Sequence, residues 1–482
     1  MTESSALRWQ VVVGGGVLVL VAVALHLNAG YTYPRPWPDE SHFVTPAITL
    51  VRQGRLAVPE LNAPSGIFWV PTGYYLTQVP ALLLRIDPLA AARWLSLAGV
   101  LLFAGGTVAA ARRAGVHAAV ALAAVLAWSW MPRVVALGNI GRMEGVVLGI
   151  AGACLWLAAR DRLPLALALA LLAPLVHPVD TIVAVAVVAA VVVRGGRRRW
   201  TWVEKAALAA VAVLWAVEVA YFLRHAQVAG DHLRFQFTRK AGRPIVWRWW
   251  QVVQLTITAV AGVVATWRWR RGAAAMTGVW IALALAGGFV LVDVVGREMW
   301  YEALGRETVI LLAGLAGLAA LTRNRRYEAL GERLQGGLAV GLTLVLLIAG
   351  GIAVRGALTG GWYGMRPNAA SNAEWRAFRQ LAVAELQQFD GAVQEQAVVV
   401  IDPLSGFGQE VTGRSFAHLQ FVQPTPATPL DTLTADYVLA TPGVPFVTKS
   451  LVEQWGPVEP ALEVTSGAGA FTLQLFANPE GG

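Results

Sequence analysis

The chain has 482 residues, 56% of them hydrophobic and only 14% charged, with a mean hydropathy of +0.57. Soluble domains carry about a quarter charged residues, so this composition excludes an ordinary water-facing surface. The net charge of +9 does not point to nucleic acid: the arginines sit in short clusters between apolar runs, and no basic face with interleaved aromatics occurs.

The first apolar run, Val11 to Leu27, follows Arg8. It is too long for a signal-peptide core and lacks a small-residue cleavage site after it, so it reads as an uncleaved span. A span needs about 20 apolar residues. Such stretches fall at 11–28, 92–111, 116–136, 144–159, 163–176, 179–193, 203–223, 246–267, 273–293, 304–321 and 334–354. The single cysteine, Cys154, lies inside one of them; it excludes an intrachain disulfide and reads as a small buried hydrophobe.

Residues 67–86 form a further apolar stretch that decides the topology. If it does not cross, Arg112–Arg113, Arg160 with Arg162, Arg197–Arg199, Arg268 with Arg270 and Arg271, and Arg323 with Arg325 and Arg326 all face the cytoplasm. If it crosses, all of them face outward, against the positive-inside rule. The first arrangement is therefore expected: eleven spans, a cytoplasmic N-terminus, and 67–86 as a helix at the outer leaflet. The protein is then a multi-pass plasma-membrane protein with its C-terminus outside. Residues 1–360 form the membrane domain, with a first extracytoplasmic loop at 29–91. Residues 361–482 form a small extracytoplasmic α/β domain with a helix near Glu374–Gln388 and strands at Ala397–Ile401, Tyr437–Ala440 and Phe471–Phe476.

That orientation, set by the arginine clusters alone, gathers carboxylates and histidines from separate loops on the outer face. The first loop carries Asp39, Glu40 and His42 after three prolines. A carboxylate there can act as general base or, with its neighbour, hold a divalent metal; the pair reads equally as a solvated acidic turn capping a helix that begins near Ser41. Arg142 and Glu144 open a span at its outer end. Two residues apart, they are expected on different sides of a helix and not paired. Arg142 and Arg93 suit an anionic partner such as a phosphate, or snorkel to lipid headgroups. His177-Pro178-Val179-Asp180 is a tight polar turn whose histidine can bind phosphate or metal, relay a proton, or merely cap the turn. Asp293 and Glu218 are costly in lipid and should face the bundle interior. The clusters Trp247–Trp250 and Trp267–Arg270 read as interface belts. No Walker sequence, dinucleotide fingerprint or metalloprotease helix is present.

This order of features resembles the GT-C membrane glycosyltransferases, particularly the protein O-mannosyltransferases and lipid A aminoarabinose transferases. Asp39-Glu40-Ser41-His42 through Pro59, Pro64-Ser65-Gly66-Ile67-Phe68, Ala92-Arg93-Trp94 through Arg112-Arg113, and Arg142-Met143-Glu144 are similar to successive family segments. The resemblance spans about residues 1–360. The double proline is reduced to Pro64, Met143 and Glu144 replace a proline and an aspartate, His177 stands where relatives carry lysine, and no proline follows the Arg297–Tyr301 segment. The resemblance implies an all-α polytopic fold and an inverting transfer of a sugar from a polyprenyl-phosphate donor to a lipid, glycan or protein acceptor. It places Asp39 as base, with Glu40 supporting it or a divalent metal. Arg93, Arg142 and Arg297 would bind the donor phosphate, and His42, Glu144, His177 and Tyr301 would line the cavity. A carrier for a lipid or polar solute, or a non-catalytic assembly protein, are the alternatives; a carrier calls for mid-membrane polar residues and repeated halves, of which the sequence offers little beyond Glu218.

Overall fold

A computed structural model describes residues 38–58, 63, 65–68, 70–194, 200–241, 249–269, 276–296, 301, 303–322, 337, 369–402, 407, 410–411, 416–424, 434–441 and 447–480. The expected spans at 11–28 and 334–354 lie outside the described residues. Two compact units divide the chain: residues 1–29, 69–74 and 93–358 in one, and 30–68, 75–92 and 359–482 in the other.

The first unit is helical. It contains α3 (Pro88–Arg113, from residue 93), α4 (Ala118–Ser129), α5 (Pro132–Gly138), α6 (Met143–Ala159), α7 (Leu163–Ala170), α8 (Ala173–Val176) and α9 (Thr181–Arg194). It continues with α10 (Trp202–Arg224), α11 (Ala226–Ala241), α12 (Trp249–Trp269), α13 (Thr277–Gly296) and α14 (Thr308–Thr322). Four of the described helices are long and apolar enough to cross a membrane, and shorter apolar helices accompany them. In α10 only 6% of the apolar window is buried among the described residues.

Several expectations need correction. The stretch 116–136 is two helices, because Pro132 cannot donate a backbone hydrogen bond and holds Met131 extended, with ψ 134°. The stretch 163–176 is likewise split into α7 and α8, with Pro174 in the first turn of α8. The segment opening 304–321 begins with a π-helical turn, Ala303–Glu307. Between the expected spans 203–223 and 246–267 the chain carries a further helix, α11.

The α3–α6 contact organises this unit. A Cβ at Gly99 or Gly106 would overlap the carbonyls of Gly145 and Gly152, and one at Gly152 would overlap the backbone of Phe103. The two helices therefore touch backbone to backbone, the packing that small residues permit in a membrane. They run in the same direction. At one end the Ser96 hydroxyl donates to the Arg142 carbonyl at 3.0 Å; at the other, Arg113 pairs with Asp161 at 3.1 Å. From Ser96 to Arg113 the helix rises about 26 Å at 1.5 Å per residue, close to the hydrocarbon thickness.

Residues 67–86 contain α2 (Thr72–Leu83), a helix of 12 residues with Pro80 inside. At about 18 Å it is too short to cross. Its first turn is fixed within the helical unit: Glu218 of α10 accepts hydrogen bonds from the Thr72 N–H, at 3.2 Å, and from the Thr72 hydroxyl. A carboxylate at a helix N-terminus is favoured by the unsatisfied N–H groups there. Glu218 is thus satisfied by a neighbouring helix.

The second unit holds α1 (Pro38–Gln53), the later part of α2, and the C-terminal domain. Gln78 of α2 donates to the Phe43 carbonyl at 2.9 Å, and Val44 and Ile48 of α1 pack with Leu82 and Ala92. The C-terminal domain comprises α15 (Ala369–Ala392), β1 (Ala397–Ile401), β2 (Leu419–Val422), β3 (Tyr437–Ala440), α16 (Val447–Trp455), β4 (Pro460–Thr465) and β5 (Thr472–Ala477). Its sheet has the order β2-β1-β3-β5-β4, with β1 parallel to both β2 and β3 and the β3–β5 and β5–β4 pairs antiparallel. The Val-rich β1 lies between β2 and β3 and is buried, as a strand covered on both faces requires. Trp375 and Phe378 of α15 meet Phe407 and Phe471 over the sheet. The helix and three strands expected here are present; β2, β4 and α16 are additions.

Two carboxylates pin loops in this domain. Glu374 accepts from the Ser466 hydroxyl at 2.5 Å and from the Ala468 and Ala470 N–H groups, which hold it below the usual carboxylate range, the Ser466 bond most of all. Asp390 is partly raised by burial, but N–H donors from Ala417, His418 and Leu419 at 2.7–2.8 Å bring it below the usual value. A depressed folded value stabilises the domain fully above the unfolded carboxylate value, about pH 4, and the contribution is lost as pH falls through the folded value. Asp390→Asn should lower stability by about 2 kcal/mol at neutral pH and weaken the acid dependence, read by denaturation of the full chain between pH 7 and pH 3. In the membrane unit, Gly152→Leu should destabilise by about 3 kcal/mol through overpacking. Gly105→Ala, whose added Cβ meets nothing within 4 Å, should be neutral or slightly stabilising, measured by thermal unfolding in detergent.

Candidate active site

The polar end of the α3–α6 pair is where several of the sequence-predicted residues meet. Arg142 is the N-cap of α6, with φ −126° and ψ 153°, an extended conformation outside the helix. That geometry overturns the expectation that Arg142 and Glu144 point apart. An extended Arg142 folds back over the first helical turn. Its Nε donates to Glu144 Oε2 at 3.1 Å and its Nη2 to Oε1 at 3.0 Å. The fork is bidentate, the strongest form of an Arg–carboxylate pair, and both side chains are buried, Glu144 completely. Ser96, also fully buried, bridges to the backbone of Arg142 through both its carbonyl and its N–H. Arg93 lies one turn earlier on α3 and is partly buried.

His177 terminates α8, and the turn Pro178–Asp180 that follows is a single 3-10 turn. Pro178 stops the helix, and the turn brings Asp180 back: His177 Nδ1 lies 3.4 Å from Asp180 Oδ2. On its other side, His177 Nε2 lies 3.4 Å from the Tyr301 hydroxyl, the rings meeting edge to face at 6.1 Å. All three side chains are buried. Glu144 is close enough for its charge to act on both His177 and Asp180. Arg142, Glu144, His177, Asp180 and Tyr301 therefore form one buried polar cluster. Of these, Asp180 was visible in the sequence only as a partner in the His177 turn, and Ser96 carried no signal.

Gly73 of α2 packs against this region; a Cβ there would lie 2.5 Å from the Leu175 carbonyl. Asp293 is buried beside Gly305 of the π turn, facing the interior as a carboxylate in a span must. Arg297 lies outside the described residues.

The first-loop residues belong to the other unit. Asp39 is the second residue of α1; its side chain lies outside the described residues. Glu40 is fully buried and His42 is 8% exposed, so for Glu40 the reading as a solvated acidic turn fails. Among the described residues no three His, Cys, Asp or Glu side chains are arranged to hold a metal ion. Cys154 is buried and donates to the Ala166 carbonyl, as expected of a small packed residue.

A mostly helical unit with helices long and apolar enough to cross a membrane, together with a small mixed sheet near the C-terminus, agrees in fold with solved membrane proteins. The chain is similar to the ArnT of Cupriavidus metallidurans, solved bound to undecaprenyl phosphate, with 13% identity, a TM-score of 0.60, and coverage of 95% of this chain and 97% of that one. The apo form of that protein gives 14% identity and a TM-score of 0.51, with 98% of each chain covered. An Archaeoglobus fulgidus oligosaccharyltransferase structure aligns at 11% identity and a TM-score of 0.47, over 96% of this chain and 73% of that one. No family model and no curated protein matches the sequence.

Breaking the buried ion pair from one side should be costly. Glu144→Gln, which strands the Arg142 charge, is expected to lose about 3–5 kcal/mol, and Arg142→Met with Glu144→Leu to recover most of it. Thermal unfolding of the three detergent-purified proteins checks this; equal losses in the single and double variants would mean that packing, not charge, matters there.

Proposed function

We propose that this protein is an inverting membrane glycosyltransferase that moves a sugar from a polyprenyl-phosphate donor to an extracytoplasmic acceptor, a lipid, glycan or protein. The observation that carries the reading is the end-to-end likeness in fold to a structure solved with undecaprenyl phosphate. It is supported by a buried polar cluster at the end of α3–α6 opposite the arginines.

In this reading the chain has eleven spans in residues 1–360, the basic ends of α3 and α6 face the cytoplasm, and residues 361–482 lie outside the plasma membrane. The pairing of Arg113 with Asp161, at the end away from Ser96 and Arg142, supports a common cytoplasmic side for the first two basic clusters. Asp39 is the base that deprotonates the acceptor. Glu40 supports it. Polyprenyl phosphate is the leaving group, so cations and hydrogen-bond donors must meet the charge that develops on it. Arg93 and Arg297 are the cations for that task. Arg142 contributes less directly, since its Nε and Nη2 are committed to Glu144; the pair instead builds the wall on which His177 and Tyr301 stand. His42 belongs to the acceptor side with Asp39. Transport finds little support, because the mid-span carboxylate Glu218 is used as a helix cap.

The test is turnover of a panel of undecaprenyl-phosphate sugars by purified protein in the presence of extracted envelope lipids as acceptor. Wild type should consume one donor, and Asp39→Asn should lose at least about 100-fold in rate, the scale of general-base catalysis. Equal turnover by both proteins would remove Asp39 from the chemistry; no turnover by folded wild type would count against the transferase reading.

A further inference from the structure

Helix α1 carries Asp39, Glu40 and His42 in its first half and a proline, Pro46, in its interior. Pro46 has no N–H to give the His42 carbonyl, and its ring crowds that same carbonyl. The helix ladder is therefore interrupted between the turn that holds Asp39 and the turns that follow. The half after the proline has its own anchor. The Thr49 hydroxyl accepts from the Ala57 N–H at 3.0 Å, and its proton is within reach of the Pro46 and Ala57 carbonyls, at 3.1 and 3.0 Å. Ala57 leads into the Val58–Ala63 bridge, closed by hydrogen bonds at 2.9 and 3.1 Å. Val44 and Ile48, on either side of the proline, pack with Leu82 and Ala92 and hold the middle of the helix.

On the near side of the break, Gln78 of α2 donates from Nε2 to the Phe43 carbonyl at 2.9 Å. A carbonyl has two lone pairs, so Phe43 can accept this bond without leaving the helix. Phe43 stands one turn after Asp39, about 6 Å along the axis. Gln78 is fully buried, and its Oε1 has no hydrogen-bond partner among the described residues. Half of the amide is thus buried at a cost to folding that an apolar side chain of the same shape avoids. Gln78 is poorly chosen for stability and well placed to hold the end of α1 that bears the carboxylates.

We infer that Gln78 is a positioning residue: its bond to Phe43 braces the proline break of α1 and fixes the position of the first turn, which carries Asp39 and Glu40. The brace stands on geometry alone; that it serves a general base rests on the proposed function. A base must be held within hydrogen-bond reach of the proton it takes, and a misplacement of about 1 Å can cost about 100-fold in rate.

Gln78→Met separates this role from packing, because it keeps the length and straight chain of the side chain and removes both amide groups. A residue that only packs would lose stability and activity together. The brace predicts a Tm in detergent equal to or above that of wild type, since the unmatched amide is gone. Hydrogen exchange of the full-length protein, read by mass spectrometry, should quicken about tenfold at the amides of residues 42–45 and stay unchanged at 47–53. With the donor that wild type consumes, kcat should fall about tenfold while KM stays, as when only the placement of a reacting group is disturbed. A lower Tm, exchange that quickens along the whole helix, or unchanged exchange at 42–45 each overturns the brace. Local quickening with an unchanged kcat overturns the positioning role. If folded wild type consumes no donor, the proposed function fails, and the exchange result alone decides the brace.

Discussion

Cancellation of charge in a low-dielectric interior is the constraint from which the rest of the membrane unit follows. Arg142 and Glu144 are tolerable only as a bidentate pair, and that pair requires Arg142 to stay extended at the N-cap while Glu144 occupies the first turn of α6. The start of α6 is therefore fixed to within a residue. Ser96 then ties the same point to α3 through two hydrogen bonds to the Arg142 backbone. The His177–Asp180 pair obeys the same rule at the end of α8, with Pro178 ending the helix so that the turn can bring the carboxylate back to the ring.

Glycines make this arrangement reachable. Backbone contact at Gly99–Gly145 and Gly106–Gly152 keeps α3 and α6 side by side along their length, so that one pair of helix ends carries the buried polar cluster and the other carries Arg113 and Asp161. Under the proposed function this division would be useful: exposed arginines at one end suit a cytoplasmic surface, while a buried set of polar groups at the other could be held rigid before a lipid phosphate arrives. Glu218 extends the logic to α2, whose exposed N–H groups it caps from within a span.

Much of this was legible in the sequence because lipid imposes strong rules. Apolar runs located most of the described helices of the membrane unit, though not α11, and the sequence placed a helix within 67–86, where α2 has 12 residues. Prolines were the main source of error: Pro132 and Pro174 divide runs that hydropathy joins. In the candidate site, residue types drew attention to Arg142, Glu144 and His177, but helix periodicity misplaced Arg142, since a cap residue does not follow it. Ser96 acts through contacts that join helices distant in the chain, which no local pattern announces; Tyr301 was expected at the cavity from the resemblance, but its contact with His177 was not. In the C-terminal domain, β1 and β3 were clear as apolar β-branched runs, whereas β4, with exposed alternating polar residues at an edge, resembles a loop in composition.

The most direct test of the account is an experimental structure of the protein with undecaprenyl phosphate bound. The account predicts the phosphate at the polar end of α3–α6, with the Arg142–Glu144 pair intact beside it. A phosphate seated instead at the Arg113–Asp161 end, or a lipid that displaces Glu144 from Arg142, would contradict it.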